Sequence, residues 1–292
     1  MSFVALIRVA LVIVLATTLK PAVAQTPESG RLLATSGVSQ LEGAGGGGLV
    51  PWALITGYGT RDAIGANLHE TFAYFPDFTL NSVGAAVGLY DRVELSYAHQ
   101  WFDTRQAGTR LGIGRGYTVN EDVAGVKVRL LGDAVYDQDS WRPQIAAGAQ
   151  FKSNDAHAVL HAVGARSSRG VDLYLAATKL FLAQSLLLNA TVRLTKANQF
   201  GLLGFGGDRH GGYRPALEAS AAYLLTRNLA AGVELRTKPN NLRFAHEGPA
   251  FDVFGAYFLT KNVSVTLAYV DLGTVARQGH QGGIYLSLQA GF

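Results

Sequence analysis

Charged residues recur singly inside short apolar runs. Glu94 lies between Val93 and Leu95, Lys127 and Arg129 flank Val128, Arg193 follows Val192, and Glu234 and Arg236 flank Leu235. Successive side chains of an extended strand point to opposite faces, so each of these charges shares a face with small or polar neighbours. With Glu218, Lys238 and Asp252 they make a mixed set in which acids nearly balance bases. Their chemistry would be electrostatic. Lining an enclosed space, fixed charges sort solutes by sign, or they pair with one another and rigidify or close that space.

Other residue patterns point to different chemistries and carry less. His157 and His161 are four apart, which suits one metal ion on a helical turn, but beyond Asp155 no carboxylate offers a third ligand. Gly43, Gly45 and Gly48 match a dinucleotide-loop spacing without the preceding strand, following helix or later acid that such a loop requires. They suit close packing or a tight turn instead. His99 falls on the apolar face of its segment and is the candidate base for acyl chemistry there, yet the sequence sets no serine beside it, so no catalytic residue is assigned. No cofactor or metal is called for. Once Arg8 and Lys20 are set aside with a leader, the two signs of charge nearly cancel, which argues against nucleic acid as a partner.

The elements that must position these side chains are strands. From about residue 62 onward, runs of roughly ten residues alternate apolar with small or polar side chains between turns. Counting back from the C-terminus, strands are expected near 283–292, 263–272, 250–259, 229–238, 215–225, 186–196, 171–181, 142–152, 122–132, 93–102, 79–90 and 63–74, twelve in all. Fourteen is the alternative, because residues 50–58 could form a further strand. Turns at residues 91–92, 183–185, 226–228 and 260–262 are short, while 103–121, 153–170, 197–213, 238–249 and 272–283 are long. Short turns opposite long loops are the pattern of a transmembrane antiparallel β-barrel, with apolar side chains outward to lipid and polar ones inward. A near-repeat, residues 222–229 returning as 256–263, places Tyr223 and Tyr257 just before a turn, where an aromatic ring suits a membrane interface. The final strand ends on Phe292, and a closing strand of this kind is what the barrel-assembly machinery would engage.

At the other end, Arg8, the apolar stretch Val9 to Leu19 and Ala22-Val23-Ala24 read as a signal peptide cleaved after residue 24. That stretch is too short to cross a bilayer core of roughly 30 Å. Residues 25–60 form a Gly-rich segment, left open between a segment folded into the lumen and a first strand, and residues 61–292 form the barrel. The chain has no cysteine, hence neither disulfides nor thiolate metal sites, and its charged fraction of 16% is below the roughly 25% usual for soluble domains.

Three stretches, residues 43–52, 57–62 and 84–96 (Gly84-Ala85-Ala86-Val87-Gly88-Leu89-Tyr90-Asp91-Arg92-Val93-Glu94-Leu95-Ser96), resemble an uncharacterised family of bacterial outer-membrane proteins classed as a domain of unknown function. The resemblance spans the mature chain and implies an outer-membrane barrel in a Gram-negative bacterium, without an activity to carry over. The expectation that follows is a porin-like channel for passive passage of small hydrophilic solutes, lined by Glu94, Lys127, Arg129, Arg193, Glu218, Glu234, Arg236, Lys238 and Asp252. Outer-membrane lipid and lipopolysaccharide would be its surroundings. Two alternatives stay open: a lipid-directed outer-membrane enzyme, and a structural or receptor barrel with a sealed lumen.

Overall fold

The computed structural model describes residues 33–35 and 37–292, so the signal peptide expected at residues 1–24 lies outside the described residues. Twelve antiparallel strands close into one barrel. They are β1 (Ile64–Tyr74), β2 (Thr79–Leu89), β3 (Val93–Asp103), β4 (Thr118–Leu131), β5 (Gln144–Asn154) and β6 (Arg169–Phe181). The second half comprises β7 (Leu186–Thr195), β8 (Arg214–Leu224), β9 (Leu229–Arg236), β10 (Ala250–Phe258), β11 (Val263–Asp271) and β12 (Gly282–Gly291). Each pairs with its neighbour in sequence, and β12 pairs with β1 from Ile284 opposite Tyr74 to Gly291 opposite Asn67. Closure leaves no edge strand, which a bilayer demands because unpaired backbone groups find no water there. The stretch from Leu173 to Val192, long and apolar enough for a spanning helix, forms β6 and β7. Residues 50–58 lie inside the barrel rather than in its wall.

Strand alternation explains the two faces. On β7, Leu188, Val192 and Leu194 are exposed, whereas Asn189, Thr191 and Arg193 are buried. The same inversion recurs around the wall with Leu217, Val233, Val253 and Leu267 outside and Glu218, Glu234, Asp252 and Thr266 inside. An exposed belt of large apolar side chains around a polar interior is the surface of a barrel that sits in lipid. Tyr223 and Tyr257 near one rim, and Tyr74 and Tyr269 near the other, mark its edges.

Two connections depart from the short-and-long alternation. Residues 75–78 make a tight loop at the otherwise long-loop end, closed by Phe75 N–H donating to Phe78 O at 2.9 Å and by Phe78 stacked on Phe102 at 4.9 Å. At the opposite, turn end, residues 132–143 form an extended arm. Arg129 anchors it by pairing with Asp91 and Asp133 and donating to Gly132 O, and Leu180 N–H donates to Ala134 O at 2.9 Å. These bonds satisfy buried backbone groups where the longer segment meets the wall.

Candidate functional site

The lumen is occupied by the chain's own N-terminal segment. Val38–Ser39 pairs with Gly45–Gly46 in a small antiparallel hairpin, and the described residues 38–57 are buried throughout. Gly43 has φ +93°, and a β-carbon there would stand 3.2 Å from the Tyr97 backbone. Glycine is therefore needed both for the left-handed turn and for the close approach to the wall. The tract serves close packing. We call residues 37–57 the plug.

Wall carboxylates hold the plug by its backbone. Glu94 accepts the N–H of Gly45 at 2.9 Å and of Thr56 at 2.8 Å and pairs with Lys127 at 3.0 Å. Lys127 donates onward to Gly45 O at 2.8 Å and Trp52 O at 3.1 Å. Glu234 accepts Leu49 N–H at 2.7 Å and the Ser220 hydroxyl at 2.7 Å, while Trp52 Nε1–H donates to Ser220 Oγ at 2.9 Å. Across the lumen, Gln289 accepts Ser39 N–H at 2.6 Å and Thr178 accepts Ala53 N–H at 2.7 Å.

Toward the loop end, six charges close into a ring. Lys152 bridges Glu42 at 2.5 Å and Asp172 at 2.9 Å. Arg193 bridges Asp172 at 3.4 Å and Glu218 through both its Nε and its Nη2. Arg236 bridges Glu218 at 3.2 Å and returns to Glu42 at 3.1 Å. Three acids meet three bases, and each member touches two of the opposite sign, as buried charges require. Five members come from the wall and Glu42 from the plug. Burial opposes ionisation of Glu42, but Arg236, Lys152 and Arg193 outweigh it and hold its carboxyl well below the ordinary range.

The loop between β7 and β8 folds over this ring as a lid. The Phe200 ring covers the Arg236 guanidinium at 4.2 Å, and its carbonyl accepts from Lys152 at 2.7 Å. Gln199, beside it, donates its N–H to both oxygens of Glu247 at 2.9 and 2.8 Å and accepts from Lys238 at 2.7 Å. Burial raises the Glu247 carboxyl to about 7, with Lys238 and the Gln199 N–H opposing. Burial likewise lowers the Lys238 ammonium to about 8, with Glu247 opposing.

Together plug and lid exclude water from the interior. Inward-facing Thr71 and Ser287 are 0% exposed, and Lys127, Arg193 and Gln289 are 1%. A continuous aqueous pore would leave such side chains wetted.

Of the residues expected to line the lumen, Glu94, Lys127 and Glu234 bond the plug directly, and Arg193, Glu218 and Arg236 belong to the ring. Asp252 lies buried opposite Glu234 on the neighbouring strand, and among the described residues its Oδ1 has no hydrogen-bond partner. Arg129 serves the arm at the turn end instead. Lys238 lies beyond the end of β9, in the lid's support. The expectation omitted Glu42, Lys152 and Asp172. The latter two sit near strand ends, where the alternation is hardest to phase. Glu42 did leave a signal, being the one charge in residues 33–60.

On the outer face, His99 Nδ1 lies 2.7 Å from Asp122 Oδ1, and Tyr97 donates to the same oxygen at 2.5 Å. No serine hydroxyl bonds His99 among the described residues. His157 and His161 lie on one short helix, His157–Ala162. Among the described residues no three metal-ligating side chains come together.

Residues 35–289 match the family model described as protein of unknown function (DUF3034). No curated protein matches the chain in sequence. Among solved structures, the chain is similar to a KdgM porin with a TM-score of 0.50 and 12% identity, over 77% of this chain and 99% of that one. It is also similar to a KdgM porin in complex with disordered oligogalacturonate, with a TM-score of 0.51 and the same identity and coverage. At such identity the likeness is one of fold. A closed twelve-stranded barrel with an apolar belt and an outer-membrane porin fold belongs in the bacterial outer membrane, in contact with its lipids.

Proposed function

Because the chain belongs to the DUF3034 family of proteins of unknown function, we propose from its geometry that it is a plugged outer-membrane channel for small hydrophilic solutes, closed in the state described and opened by displacement of residues 37–57. The observation that carries this is the chemistry of the plug's seat. A segment kept only to fill a lumen would do so best with apolar packing, since buried ion pairs are often no more stabilising than apolar side chains of similar volume. Here the wall bonds the plug through carboxylates, ammonium and hydroxyl groups. When the plug leaves, those groups line a lumen that water and polar solutes can wet. With the loops facing outward, the lid covers the external mouth and the plug enters from the periplasmic end. The porin fold of the KdgM structures supports the barrel, whereas the oligogalacturonate belongs to that protein. Assembly through the strand ending at Phe292, and contact of outer-loop arginines such as Arg105, Arg110, Arg115 and Arg166 with lipopolysaccharide, are part of the same proposal.

The test is conductance in planar bilayers. The full chain should be largely silent, and a chain lacking residues 37–57, shown to be folded by heat-dependent gel mobility, should give discrete steps. A folded deletion variant that never conducts would replace this reading with that of a sealed structural or receptor barrel.

A further inference from the structure

We propose that Lys152 and Arg236 form a carboxylate-binding site which the plug's Glu42 fills in the closed state, and that a small hydrophilic solute bearing a carboxylate takes Glu42's place and releases the plug. The inference rests on the plugged-channel reading and names the class of solute that acts on it.

Glu42 is held as a ligand is held. Its Oε1 accepts from Lys152 at 2.5 Å and Arg236 Nη2 at 3.1 Å, and its Oε2 accepts from Gln40 at 3.1 Å, with Arg236 Nη1 also 3.1 Å away. The Arg236 fork grips both oxygens, the geometry that suits planar carboxylates. Apart from Gln40, these donors come from the wall and stay behind when the plug moves. Pulling Glu42 away without replacement leaves Lys152 with Asp172 alone and Arg236 with Glu218 alone, and the buried ring one negative charge short, which is unfavourable. A carboxylate from solution restores the same bonds and keeps the ring neutral, so exchange avoids that cost. A neutral solute can accept from these donors but brings no negative charge to replace that of Glu42, and a cation is repelled.

The route to the site is the lid. Phe200 lies over Arg236, and its carbonyl is bonded to Lys152, so entry of an anion and movement of Phe200 are one event. Gln199 and Phe200 hold φ of +46° and +66°, followed by Gly201 at +124°. Left-handed backbone at two successive non-glycine residues is costly and favours rearrangement once the contacts holding it are exchanged.

The experiment uses the full chain with gluconate as probe and sorbitol as its uncharged counterpart. Two readouts are taken: planar-bilayer conductance, and labelling of an Ala44→Cys variant by a hydrophilic maleimide in detergent. Ala44 is 1% exposed, and the natural chain has no cysteine. Gluconate should raise both open fraction and labelling rate by about tenfold, the size of one exchanged charge-assisted contact, and sorbitol should raise neither. Glu42→Gln should open without gluconate. Arg236→Lys keeps the charge but loses the fork, and should require about tenfold more gluconate. Labelling that gluconate does not change overturns the carboxylate site, even if the plug-deleted barrel conducts and the channel reading stands. If that barrel is folded and silent, the channel reading fails, and the labelling response alone retains or removes the site.

Discussion

Glu94 Oε2 and Lys127 Nζ stand 3.0 Å apart with each side chain 1% exposed, and both also bond the plug at Gly45. The pair is therefore a joint between wall and plug as well as a buried ion pair. Removing one partner strands the other in a dry interior, which costs about 3–5 kcal/mol. Glu94→Leu alone should lower stability by that amount in urea titrations in detergent. Adding Lys127→Met should recover part of the loss. Strictly additive losses would mean that the two side chains act separately.

Gly46 tests whether the plug can be dislodged without harm to the wall. A β-carbon there would meet the Val50 carbonyl oxygen and come within 2.8 Å of the Pro51 Cα and Trp52 N. These are backbone atoms of the plug itself, which cannot swing aside as a side-chain tip can. Gly46→Ala should deform the hairpin, shift Trp52 from its bond to Ser220 and alter tryptophan emission, while heat-dependent gel mobility stays that of a closed barrel. The same variant should conduct in bilayers more often than the natural chain. A variant as silent as the natural chain, with its emission unchanged, would show that the plug absorbs the methyl.

The outer face carries a polar cluster with an unusual address. Asp122 serves both His99 and Tyr97 on a surface rich in apolar side chains. Asp122→Ala should destabilise the barrel by about 1–3 kcal/mol for each donor left unpaired in an apolar setting. Replacing His99, Asp122 and Tyr97 together by Leu, Leu and Phe should be close to neutral, because no polar group is then stranded. Equal losses in the single and triple variants would point to a role beyond mutual satisfaction. Phospholipid hydrolysis by the natural chain that Asp122→Asn abolishes would revive the enzymatic alternative.

The wall was legible in the sequence because alternation is a local property: Val93-Glu94-Leu95 or Val192-Arg193-Leu194 assigns its own faces wherever the strand lies. The plug was not, because its conformation depends on partners far along the chain. Ser39 meets Gln289, and Leu49 meets Glu234. Glycines report only that the backbone is free to turn, not which surface it turns against. The charges of the wall were identified by phase, but phase cannot say whether a charge faces water, another charge or a plug. That distinction separates a polar pore from the closed ring through Glu42. The lid was hidden for the same reason, since residues 196–213 have no periodicity and are ordered by bonds to Glu247, Lys238 and Lys152.

The lid's support also predicts a pH dependence. Burial raises the Glu247 carboxyl from 4.5 to about 7. Between those values the unfolded chain has released a proton that the folded protein keeps, so stability falls as pH rises through this window. Lys238 moves the other way, its ammonium lowered from 10.5 to about 8. Between those values the folded protein has lost a proton that the unfolded chain retains, so stability rises with pH there. Because both groups bond Gln199, the effect should be local to residues 196–213. Amide exchange there, corrected for its intrinsic pH dependence, should show protection falling from pH 4.5 to about 7 and recovering above about 8. Glu247→Gln should flatten the lower arm and Lys238→Met the upper one. Protection that varies equally in the wall strands would assign the effect to the whole barrel rather than to the lid.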